Sequence, residues 1–177
     1  DPRSETTYEY DEIGNMTAQT DANGNQTLFE YDLLSRKIAR QLPGGERQTF
    51  EYDVMGNRIR HTDFNGDTIE YAYDENNRQV RIDYPDGTSV VTVYAPEGQR
   101  LRVTDSQGDT EFSYDSRNRL LSTTYPSGQA VSNAYDAAGN KARVTTPGGM
   151  TEYGFDSLNR LFTVTDPDGG VTEYDYD

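Results

Sequence analysis

The sequence contains no cysteine and a single histidine, His61. The first absence excludes disulfides and thiolate metal sites. Together they leave little material for a nucleophile–base pair. Long apolar runs are also missing. No stretch approaches the ~20 residues a membrane helix needs, and no signal-peptide pattern is visible. Positive charge is scarce, with 16 Lys+Arg against 31 Asp+Glu and a net charge of −15. That balance disfavours nucleic acid, whose binding rests on neutralising phosphates, and its plainest consequence is solubility. Hydrophobic residues make up only 32% and mean hydropathy is −0.95. Such polarity can signal disorder. Against disorder stand 14 Tyr, 6 Phe and regularly placed glycines.

The regularity is an internal repeat. Tyr-Asp occurs at Tyr10-Asp11, Tyr31-Asp32, Tyr52-Asp53, Tyr73-Asp74, Tyr114-Asp115, Tyr135-Asp136 and Tyr176-Asp177. Tyr94-Ala95 and Phe155-Asp156 fill the gaps as degenerate copies. The intervals are 21, 21, 21, 21, 20, 21, 20 and 21 residues. Fourteen residues after each of the first eight aromatics comes a glycine: Gly24, Gly45, Gly66, Gly87, Gly108, Gly128, Gly149 and Gly169. The length variation falls between that glycine and the next aromatic. The chain begins and ends inside the pattern, so it is expected to be part of something longer.

Each repeat carries two turn signals. The first starts at the motif Asp, as in Asp11–Gly14, Asp53–Gly56 and Asp136–Gly139; alternate repeats place Asn77, Asn118 and Asn159 fourth. Asp favours the first position of a type I turn, where its carboxylate accepts from backbone N–H groups ahead. Gly and Asn tolerate the left-handed conformation that completes a three-residue hairpin with a bulge. Ser35 breaks the rule and predicts strain or a different loop. The second signal comes ten residues later, as in Asp21–Gly24, Asp63–Gly66 and Asp166–Gly169. The glycines at +14 are therefore read as turn glycines.

Between turns lie segments of strand character. Thr27-Leu28-Phe29-Glu30-Tyr31 and Ile69-Glu70-Tyr71-Ala72-Tyr73 alternate with period two, and Leu161–Thr165 is rich in β-formers. The predicted fold is all-β. Tandem hairpins form one long, curved or spiralling antiparallel meander of roughly sixteen strands. It occupies 1–177 as a single array of about eight repeats, with no separate domain. One aromatic per repeat predicts a ladder in which each ring is covered by a neighbouring repeat. Its face is left open. A bulged turn pairs Tyr52 with Arg58 and Tyr94 with Arg100, a cation–π arrangement, and sends Ile59, Leu101 and Val103 to the other face. A four-residue loop places those aliphatics beside the Tyr.

No catalytic or metal site is expected, and no cofactor. His61 sits within a strand and reads as a pairing residue. The carboxylates recur with the period instead of forming one cluster. Asp21–Asn25 and Asp63–Asp67 are oxygen-rich, but Gly stands fourth and no Glu follows at twelve, unlike a calcium loop of EF-hand type.

Nine registered copies of Tyr-Asp, followed by Gly-Asn or Asn-Arg, an aliphatic strand and a Pro/Asp-Gly turn, resemble the RHS/YD repeat over residues 5–177. The chain departs from that pattern at Tyr94-Ala95-Pro96 and Phe155. The resemblance implies a structural, non-enzymatic role as a segment of a hollow β-shell. In bacterial polymorphic toxins and insecticidal toxin complexes such a shell encloses a C-terminal toxin domain before delivery. In teneurins it belongs to a cell-surface adhesion receptor. Implied partners are further repeats and the enclosed domain. Implied locations are secreted, cell-envelope-associated or extracellular. The bacterial shells often end in a cleaving cap with a DPxGL-type signature; Asp166–Gly170 lacks the leucine and reads as an ordinary repeat turn, so cap and toxin are expected to lie outside this sequence. The alternative function is an adhesion or carbohydrate-binding module that uses the aromatic-rich surface to hold glycans. A piece of such an array is also expected to pair sheet edges as a homodimer.

Overall fold

The structure is a computed structural model that describes residues 5–177; residues 1–4 of the expected array lie outside the described residues. Among those described there is no helix, and seventeen strands make up one sheet. The chain divides into two compact units, 1–90 and 91–177.

The first unit holds β1 (Thr7–Tyr10), β2 (Met16–Thr20), β3 (Gln26–Tyr31), β4 (Lys37–Gln41), β5 (Arg47–Tyr52), β6 (Arg58–Thr62), β7 (Thr68–Tyr73) and β8 (Gln79–Asp83). Each pairs antiparallel with the next. β9 (Ser89–Tyr94) crosses the boundary and pairs with β10 (Arg100–Asp105). The second unit continues with β11 (Gly108–Tyr114), β12 (Leu120–Thr124), β13 (Ala130–Tyr135), β14 (Lys141–Thr146), β15 (Gly149–Phe155), β16 (Leu161–Thr165) and β17 (Val171–Glu173), again paired in chain order. The expected meander is present, with one strand more than two per repeat supply.

The motif turns have the expected three-residue form. Gly56 N–H donates to the Asp53 carbonyl and Asp53 N–H to the Asn57 carbonyl. The fourth residue is left-handed in each, including Asn77, Asn118 and Asn159. Ser35 makes the same turn at φ 58°, so the outcome there is strain and not a different loop. Ala95 lacks the carboxylate but keeps both turn bonds; Pro96 presets the turn in its place.

A second device follows each motif turn. Tyr52 lies opposite Arg58, but Glu51 lies opposite Arg60, so Ile59 is an extra residue. The same one-residue bulge recurs in all eight motif hairpins, whereas seven intervening hairpins, from β2–β3 to β16–β17 with β8–β9 aside, keep a continuous register. It inverts the side-chain parity beyond it. The two alternatives left open by the sequence are thereby combined. The turn is the three-residue one, yet Val103 returns to the Tyr94 face opposite Thr92, and His61 lies opposite Phe50.

The two 20-residue intervals have a structural cause. In those repeats Asp105 pairs with Gly108 and Thr146 with Gly149, which leaves two-residue loops. Gly108 and Gly149 therefore open strands β11 and β15 instead of closing a three-residue turn. A Cβ on Gly149 would lie 2.5 Å from the Pro167 side chain of the next turn.

Little is buried. Among the described residues only Ala18, Phe29, Ala39 and Ala95 are shielded. The sheet is a single layer with two unlike faces. In the first unit one face carries Phe29, Phe50 and Tyr71 with the motif rings, and in the second unit one face carries Phe112 and Tyr153 in the equivalent positions. The other carries exposed ion pairs such as Arg47–Glu30, Arg60–Glu70 and Arg143–Glu152, which contribute little stability. The tight approach at Gly149 yields a prediction. Gly149→Ala combines a positive φ of 131° with the Pro167 clash, whereas Gly24→Ala meets open space. Thermal unfolding should show Gly149→Ala as the more costly, at about 2 kcal/mol or more against about 1.

Candidate functional site: the tyrosine–aspartate rim

The motif residues come together along one rim of each unit, where successive motif turns lie side by side. Each Asp closes its own turn. Asp53 Oδ1 accepts from Met55 N–H at 2.9 Å and Asn57 N–H at 2.8 Å, and Oδ2 accepts from Asn57 Nδ2 at 2.9 Å. Asp32 repeats the scheme with Leu34 and Arg36, Arg36 Nε reaching Oδ2 at 2.6 Å. Asp11, Asp74, Asp115, Asp136 and Asp156 are bound in the same way. Asp177 follows the last strand.

Four motif tyrosines serve the repeat before them. The Tyr52 hydroxyl donates to the Lys37 carbonyl at 3.0 Å, Tyr73 to Arg58 at 3.0 Å, Tyr135 to Leu120 at 3.0 Å and Tyr176 to Leu161 at 2.6 Å. Each acceptor lies 15 residues upstream. The geometry follows from the turn. Asp32 N–H bonds to the Arg36 carbonyl, so the next pair, Tyr31 and Lys37, is the non-hydrogen-bonded kind and Lys37 points its carbonyl toward β5. The β4–β5 ladder runs only to Ala39 opposite Thr49. The tyrosine hydroxyl satisfies the carbonyl that the ladder does not reach.

The fourth and fifth turn residues alternate between Gly14-Asn15, Gly56-Asn57 and Gly139-Asn140 on one hand and Asn77-Arg78, Asn118-Arg119 and Asn159-Arg160 on the other. The two types make complementary contacts forward. Arg36 lies over the Tyr52 ring at 4.7 Å and donates to the Asp53 carbonyl at 3.1 Å. Arg119 covers Tyr135 at 4.3 Å and Arg160 covers Tyr176 at 4.5 Å. Asn57 donates to Asn77 Oδ1 at 2.9 Å, and Asn140 to Asn159 Oδ1 at 3.1 Å. An arginine reaches from one turn type to the next, and an asparagine reaches from the other. The rim therefore has a two-repeat period.

The expected Tyr52–Arg58 cation–π contact is corrected. The two are opposite in register, but Arg58 reaches Phe50 and, in the following repeat, Tyr71, at 5.9 and 5.0 Å. The cation on Tyr52 is Arg36. Likewise Arg100 reaches Phe112, at 5.9 Å. The Arg36–Tyr52, Arg58–Tyr71 and Arg100–Phe112 contacts join repeats, so spacing within one repeat does not reveal them. The alternation of Gly-Asn with Asn-Arg was the available signal.

His61 stacks on Phe50 at 5.0 Å and 9°, and Gln48 Nε2 donates to its Nε2 at 2.7 Å. Burial, with the nearby Arg58 charge, holds its pKa below the usual value. Asp21 spends its oxygens on Asn23 N–H, Asn25 N–H and Asn25 Nδ2. Among the described residues no three His, Asp or Glu are grouped to hold a metal.

A family model for the teneurin YD-shell matches residues 31–177. The chain belongs to that family. A model for the RHS repeat matches residues 1–26 and 10–47 of the same YD-shell chain. A comparison with curated proteins found no match. Among solved structures, TcdB2-TccC3-TEV superposes with a TM-score of 0.67 at 21% identity, over 92% of this chain and 10% of that one. TcdB2-TccC3 without its hypervariable C-terminal region gives 0.67 at 20%, with the same coverage of each. The Photorhabdus luminescens Tc holotoxin pore gives 0.63 at 18%, over 91% of this chain and 12% of that one. The YD-shell chain thus spans about a tenth of the length of these structures, and the likeness is one of fold.

The rim predicts acid sensitivity. The aspartates titrate below their ordinary value. In Asp11, Asp53 and Asp136 the first cause is the partner asparagine amide; in Asp115 and Asp156 it is the backbone N–H four residues on. In Asp32 and Asp74 burial opposes the shift but is outweighed by the Arg36 and Arg78 bonds. A depressed folded pKa gives stability that is present above the unfolded value of about 3.9 and lost as pH falls toward the folded one. The urea midpoint should fall steeply below about pH 4. His61, also depressed, adds a shallow decline below about pH 6.5 that His61→Phe removes.

Proposed function

We propose that the chain is a non-enzymatic scaffold, a segment of a hollow β-shell whose parent chain encloses a C-terminal toxin domain and helps to deliver it. The observation that carries this reading is the single-layer sheet itself. Its repeats are joined to one another at the rim, and it has almost no interior of its own. Such a sheet suits a wall. Membership of the YD-shell family and the fold likeness to Tc toxin structures support it. On this reading the 1–177 array is one continuous piece and the sheet curves around the cargo. Its partners are further YD repeats and the enclosed domain, and the protein is exported, envelope-associated or extracellular. The motif Tyr and Asp residues and the +14 glycines are then building elements.

The glycan-binding alternative draws support from the aromatic face, but Arg36, Arg119 and Arg160 already cover three of its motif rings. Edge-to-edge pairing through outer strands belongs to the same proposal, since a wall cut from its shell exposes strand edges.

Limited proteolysis of the parent chain tests the encapsulation reading. The C-terminal domain should resist protease in the intact chain and become sensitive when residues 53–94, two repeats, are deleted. Equal sensitivity in both would overturn it.

A further inference from the structure

The tips of the motif turns hold a feature that the turn does not require. The second and third turn positions accept most residue types. In the first three repeats they carry Ile13, Leu33, Leu34, Val54 and Met55. Leu33 is 100% exposed, Val54 97% and the other three at least 68%. Later tips carry Glu75-Asn76, Pro96-Glu97, Ser116-Arg117 and Ala137-Ala138, and Leu158 stands alone. Successive tips are two strands apart, about 10 Å. The five aliphatics therefore form a continuous stripe roughly 20 Å long on the first unit.

We propose that this stripe is an interface for a second copy of the chain, packed tip to tip about a two-fold axis. An apolar stripe is complementary to itself, and a two-fold axis brings the same residues together from both copies. Each buried aliphatic side chain removes about 60–120 Å² from water, so five supply on the order of 300–600 Å² per copy. The total, about 600–1,200 Å², matches a weak, reversible dimer and falls short of an obligate one. The chain's overall acidity does not block the contact. At these turns Asp32 is paired with Arg36, and Asp11, Asp32 and Asp53 are bound within their own turns. The same acidity makes anionic membranes and nucleic acid poor occupants.

Sedimentation equilibrium of the chain tests the proposal, with the double variant Leu33→Ser/Val54→Ser alongside. Serine suits a turn and adds no charge, and an unchanged thermal melt checks the fold. The wild type should dimerise reversibly with a dissociation constant in the micromolar range, and the variant should weaken it at least tenfold. Ala137→Ser/Ala138→Ser, at a tip outside the stripe, should leave it unchanged. A wild type that stays monomeric to millimolar concentration would overturn the proposal. So would a stripe variant that dimerises as tightly as the wild type, which would assign association to the strand edges.

Discussion

A sheet one layer thick has no interior, and the motif tyrosine is where this chain meets that constraint. Its ring is half covered and its hydroxyl ends on a carbonyl of the preceding repeat, as Tyr73 does on Arg58. Burial of one ring is worth roughly 1.5–3 kcal/mol and one such hydrogen bond about 1. Neither is large, but the pair recurs at Tyr52, Tyr73, Tyr135 and Tyr176. Stability is thus assembled from nearest-neighbour contacts and not from a core, as in other repeat proteins.

The remaining features serve that contact. The Asp turn fixes where the strand reverses and leaves the carbonyl two residues short of the next ladder. The bulge at Ile59 and its equivalents then restores the aromatic face, so Phe50 meets His61 while Tyr52 keeps its place at the rim. Arginines such as Arg36 and Arg119 cover the next ring. Because Gly-Asn and Asn-Arg turns make different forward contacts, two repeats and not one form the smallest complete unit of the rim.

Much of this was legible in the sequence. The 21-residue period, the Asp-started turns and the strand alternation of Thr27–Tyr31 all express local chemistry, and local chemistry is what a sequence displays. The bulge was not legible, because Ile59, Val80 and Leu101 sit inside uninterrupted β-forming runs and nothing local marks one residue as extra. Nor was the conversion of the Asp105 and Thr146 turns to two-residue loops, since the missing residue shows only as a shorter interval. Tyr52 does lie opposite Arg58 in register, but the cation over its ring is Arg36, which arrives from the hairpin before and so does not show in the spacing of one hairpin.

The claim that adjacent repeats hold each other through the rim is tested most directly by a double-mutant cycle on Arg119 and Tyr135. Arg119→Ala and Tyr135→Leu, each destabilising alone, should be non-additive, with a coupling energy of about 0.5–1 kcal/mol in chemical unfolding. Strict additivity would mean that the two side chains act independently and would contradict it.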